Sequence, residues 1–216
     1  MKKSPLYFIG WLAVLFLSAP VQGLETEPDP GARKAAEVDL EDLKNSLKDD
    51  ADLPGLLEML GAESLKDAQS LKLGVPMRQY RVDFAKLQRF QPRDDASKLL
   101  IDMNRVTYPL ILGNSQIARS LLTVRKNKSG TKWISGGWGS PEFANNISKH
   151  RKPSDFMVWI PELNLFYLGS LTGGEFKLTS IGPIPEQDFV AGQSLPGETV
   201  FTRVQPEAKA RKPGIR

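Results

Sequence analysis

Apolar and polar positions along this chain fall into stretches of different period, and the periods mark its elements. Across residues 35–48 the apolar side chains Leu40, Leu43 and Leu47 recur three and four apart, which predicts a charged helix with one narrow apolar stripe. Pro54 suits the first turn of a short helix that carries Leu56, Leu57 and Leu60 and stops at Gly61. From Met77 the period changes to two: Tyr80, Val82 and Phe84 share one face, and Gln79, Arg81 and Asp83 the other, as in a half-buried strand. Asp94 or Asp95 is placed to cap a helix that runs to about Met103 and buries Leu99, Leu100 and Met103. Strands are then expected over residues 107–112, 117–126 and 132–136, with Gly113-Asn114 and Lys128-Ser129-Gly130 as the turns.

Ser140 before Pro141 predicts a helix to about Lys149, whose cationic end suits the negative pole of its dipole. A second meander follows. Residues 156–160 and 165–168 are apolar on both faces, as central strands are, while Phe176 and Leu178 alternate with Lys177 and Thr179 in an edge pattern. The order is strand, helix, three-strand meander, helix, three-strand meander. Consecutive hairpins pair antiparallel, so the expected class is α+β: a mainly antiparallel sheet, two meanders plus one further strand, packed with two or more helices. The expected organisation is an acidic linker and helical arm over 24–62, one globular domain over 63–204 and a disordered basic tail over 205–216. No internal repeat is visible.

The first residues change the picture most. Lys2 and Lys3 precede an uncharged apolar run over 6–17, and small residues follow over 18–23. That is the layout of a signal peptide cleaved after Gly23; a membrane-spanning helix needs about 20 apolar residues and this run is shorter. No later stretch is apolar for long enough to span a bilayer. The chain has no cysteine, so an exported product gains nothing from disulfides and depends on its core. The expected location is a bacterial periplasm or the secreted fraction. In a eukaryotic secretory pathway, Asn127-Lys-Ser and Asn146-Ile-Ser would be glycosylation acceptors.

Net charge is a mild +4, but residues 24–53 are rich in acid while residues 119–152 carry Arg119, Arg125, Lys126, Lys128 and Lys132 against the single acid Glu142. An exported basic stretch fits anionic polymers, lipid headgroups or an acidic protein face, and no nucleic acid partner is expected.

Catalytic motifs do not form. His150 is the lone histidine and, without cysteine, cannot build an ordinary zinc site, so no metal or cofactor is expected. Ser140 lacks the flanking glycines of a nucleophile elbow and reads as a helix cap. The stretch that starts at Asp50 has Gly55 where a calcium loop needs it, but Pro54 and Gly61 where that loop needs oxygen ligands.

Gly136-Gly137-Trp138-Gly139 admits either an indole platform for a sugar, peptide or polymer, or a turn whose tryptophan closes the core. The candidate binding residues are therefore Trp138, Arg119, Arg125 and Lys132. The expected function is a non-catalytic binding or accessory protein of the envelope, engaging another protein or an anionic surface component. Its alternatives are a hydrolase using Asp94, Asp95, Asp155 and Glu162, or a small-molecule carrier.

Overall fold

A computed structural model describes residues 29–48, 51–184 and 187–211. The expected leader, residues 1–23, lies outside the described residues. No helix among the described residues is long and apolar enough to cross a membrane.

The described chain forms six α-helices and nine strands, and all nine strands join one sheet, so the class is α+β. Helix α1 (Pro30–Ser46) starts where Asp29 accepts the Gly31 N–H at 2.7 Å and Pro30 takes the first helical position. Its stripe is wider than the leucines alone imply, because Ala32 and Ala36 are buried with Leu40. The helix expected in the arm over 24–62 docks on the sheet: α1 shares a core with Tyr108 and Val124. Helix α2 (Leu53–Leu60) ends at Gly61, whose φ of 61° lies in the left-handed region and whose missing side chain makes room for the Arg119 carbonyl.

Next come α3 (Leu65–Ser70), β1 (Leu71–Leu73), β2 (Met77–Val82), α4 (Phe84–Arg89) and β3 (Leu100–Leu112). The helix expected to run to Met103 is a single 3-10 turn, Ala96–Leu99. Its cap is Asp95, which accepts from both the amide and the hydroxyl of Ser97. After one turn, pairing of Leu100, Ile101 and Asp102 with β2 takes the chain into the sheet, so tertiary context overrides the helical reading.

The remaining elements are β4 (Ala118–Lys126), β5 (Trp133–Gly139), α5 (Pro141–His150), β6 (Phe156–Ile160), β7 (Leu165–Thr172), β8 (Glu175–Ser180), β9 (Ser194–Pro196) and α6 (Gly197–Ala210). Two expectations fail here. Strand β8 is not an edge, since β9 pairs with it from Lys177 to Thr179. The disordered tail expected from residue 205 is helical to Ala210, with Ala208 buried. Side-chain bonds from Gln205 to the Phe90 carbonyl and from Gln88 to the Ala208 carbonyl hold this end of α6.

Strand order is β5-β4-β3-β2-β6-β7-β8-β9, with β1 extending the β2 side of β3. Every pairing is antiparallel except the central one, β2 with β6, which is parallel. The chain thus draws one figure twice, four meandering strands followed by a helix, and the two figures meet at their first strands. Because those strands are parallel, the relating axis lies along them and the closing helices fall on opposite faces. Alternation along the strands bears this out. Helix α5 packs with Met157 and Leu168, whereas α6 packs with Val158 and Tyr167. On the back face α1 and α2 cover the first half-sheet, and α4 and α6 the second. On the front, α5 packs with Met77, Leu121, Met157 and Leu168, which share one end of the strands. No helix among the described residues packs on the other end of the front face.

Candidate functional site

That uncovered half-face has an unusual composition. Register places Ile134, Arg125, Arg105 and Gln79 side by side across β5, β4, β3 and β2. The adjoining row runs Ile101, Arg81, Trp159 and Phe166 across β3, β2, β6 and β7. Three arginines therefore lie in two neighbouring rows on one face. Arg105 and Arg125 stand directly opposite each other, which puts their Cβ atoms roughly 5 Å apart. None of the three makes a salt bridge or a side-chain hydrogen bond with the described residues. Arg78, by contrast, points to the back and bonds Asp102 at 3.0 Å.

Polar and aromatic side chains complete the surface. Gln79 donates to the Thr107 hydroxyl, which lies 2.9 Å from that of Thr123. Trp159 stacks on Phe166 with centroids 5.5 Å apart and planes 6° from parallel, and Phe166 meets Phe143 of α5 edge-on. The aromatic stack thus forms the boundary between the covered and the open halves. Chemically the open half offers planar cations, each with several donors, beside a partly exposed indole; it suits an anion that spreads over a surface.

The four sequence candidates do not assemble into one site. Arg125 belongs to the open half-face. Trp138 is half-buried on the back, opposite Leu122 and against the core under α1 and α2. Lys132 is exposed in the turn between β4 and β5. Arg119 sits at the start of β4, beside a register shift. Neighbours in sequence also part company in charge. Lys126 turns to the back, lies over the Trp133 ring and is 3.9 Å from Asp29, whereas Arg125 turns to the front and pairs with no acid among the described residues. Asp29 is held below the usual carboxylate range by the Gly31 N–H first, then by Trp133 and Lys126.

Sequence reasoning missed Arg105, which lay beyond the end of the expected helix, and gave Arg81 no role although alternation put it on the polar face. The acids proposed for hydrolysis do not converge. Asp155 and Glu162 flank opposite ends of β6, about 17 Å apart at the rise of a strand. Asp94 accepts the Gln91 N–H, and Asp95 caps its turn. No group of three or more acidic or histidine side chains among the described residues is arranged to hold a metal ion.

A second feature is a groove of about 410 Å³ beside β1. The Leu73–Pro76 turn, Pro109 and Ile111 of β3, and the end of α5 wall it, and Arg33, Arg151 and Lys152 supply its charge. Arg151 donates to the carbonyls of Val75 and Pro76. Burial pulls its pKa down to about 10, against the opposing pull of Asp155. Asp155 is buried and takes the Lys152 N–H at 2.7 Å, yet burial raises its pKa above the ordinary value.

Comparison of the chain with protein-family models, with curated proteins and with solved structures returns no match.

Proposed function

We propose that this chain is an exported, non-catalytic binding protein that holds an anionic polymer of the cell envelope on the open half of its sheet. The observation that carries the reading is the direct opposition of Arg105 and Arg125, with Arg81 in the next row and no acid among the described residues paired to any of them. Like charges facing each other across a ladder destabilise a sheet, and a hydrophobic or threonine pair would serve the fold better. Such a cost is understandable where the charges serve a ligand. Export is supported by the charged start, apolar run and small-residue stretch of residues 2–23.

Dextran sulfate against uncharged dextran is a direct probe, since the two share a sugar backbone and differ in charge. The protein is expected to bind only the sulfated polymer, with affinity that falls steeply as salt rises. Arg105→Thr with Arg125→Thr is expected to weaken binding at least about tenfold, since each lost charge-assisted hydrogen bond is worth more than a neutral one. Equal binding by the double variant, or by uncharged dextran, removes the proposal.

A further inference from the structure

We propose that the groove beside β1 is a second binding site, for a small carboxylate that carries an aliphatic body. The site is distinct from the open half-face and does not depend on its role. Its walls are apolar: Leu73, Val75, Pro76 and Ile111 face a space of about 410 Å³, within the roughly 300–1,000 Å³ of ordinary ligand pockets. Among the described residues its charged lining is all of one sign, Arg33, Arg151 and Lys152.

The cation at the centre is built in. Arg151 spends one terminal nitrogen on the carbonyls of Val75 and Pro76, which fixes the guanidinium against the β1–β2 turn. Its other terminal nitrogen makes no hydrogen bond with the described residues. Arg33 already pairs with Glu37 at 2.9 Å, and Asp155 is buried beside Arg151 and takes the Lys152 N–H, so the charge left to a ligand is that of the outward Arg151 nitrogen and the exposed Lys152 ammonium. Val75 is 51% exposed, a large apolar side chain left at the mouth of a cationic groove. A ligand with an anionic head and an alkyl chain satisfies both features, the head near Arg151 and Lys152 and the chain on the Val75 and Ile111 side. A neutral alkyl ligand would leave the outward Arg151 nitrogen and the Lys152 ammonium unmatched, and a bare anion would leave the apolar walls wet.

Sodium decanoate, kept below its micellar concentration, tests the assignment by titration calorimetry on the full chain, with amide shifts of Val75, Ile111, Ser148 and Lys152 as the positional readout. Saturable binding of one decanoate per chain is expected, with 1-decanol at least about tenfold weaker. Arg151 supports the turn, so the charge is better removed at its exposed neighbours: Arg33→Gln with Lys152→Gln is expected to weaken decanoate at least about tenfold while the melting curve stays in place. The Arg105→Thr, Arg125→Thr variant should bind decanoate as the parent does, which separates this site from the polymer-binding face. Absent saturation, decanol binding as tightly as decanoate, or indifference to the Arg33 and Lys152 changes overturns the assignment.

Discussion

At the scale of the residue, the arginines of the open half-face and the acid behind the groove both carry charge at a cost to stability. Arg105 and Arg125 face each other across β3 and β4. Replacing Arg125 by Thr, which suits a strand and ends the repulsion, should stabilise the fold by about 0.2–1 kcal/mol while it weakens anion binding. Urea melts of the two proteins check this; a clear loss of stability would mean the arginine supports the sheet.

Asp155 is a matter of pH. Its carboxyl is raised above the ordinary 3.8, first by burial, so the folded protein holds this proton more tightly than the unfolded chain does. Its contribution to stability is then greatest below about 3.8 and falls as pH rises through the raised value. Asn at this position keeps an oxygen for the Lys152 N–H and never ionises. The melting temperature of Asp155→Asn relative to the parent should therefore climb between pH 3.5 and pH 7. A difference that stays flat or shrinks contradicts the assignment.

At the scale of the element, patterns with a strong local cause were legible in the sequence, and those decided by pairing were not. Pro54 to Gly61 and Ser140 to the end of α5 carry their own caps, and they lie where the sequence puts them. The half-buried strand from Met77 was readable from Tyr80 and Val82, but it ends at Val82 and not at Phe84, because Asp83 caps α4 and Phe84 is its first residue. Residues 100–103 were misread because Asp95 is a true cap, yet the next residues find partners on β2.

Helix α1 was read as an arm because alanines contribute little to an apolar stripe; Ala32 and Ala36 matter by being small enough for close approach to the sheet. The candidate site suffered most, since alternation places Arg81 and Arg125 on polar faces but only register puts Arg105 between them. If α1 belongs to the core, Leu40→Ala should cost about 2–5 kcal/mol, the range for a buried leucine. A loss below about 1 kcal/mol in a chemical melt would place α1 outside the core.

At the scale of the whole molecule, a five-stranded half and a four-stranded half join through a short parallel pairing, Gln79–Arg81 with Met157–Trp159. The seam is closed by packing as well as by backbone: Tyr80 meets Phe156 edge-on at 5.2 Å, within the core that α6 covers. Both halves should therefore melt together, with calorimetric and van't Hoff enthalpies that agree. Two resolved transitions would show that the halves are separable.

The same architecture leaves the front of the sheet half covered, because each half contributes one closing helix and the two fall on opposite faces. That vacant half is where the arginines gather. Amide and indole NMR shifts on titration with a short dextran sulfate test this most directly. The largest changes are expected on Arg81, Arg105, Arg125 and the Trp159 indole, with Trp138 and the Lys132 turn little affected. Changes centred on Lys132 and Arg119, with the open half-face silent, would contradict it.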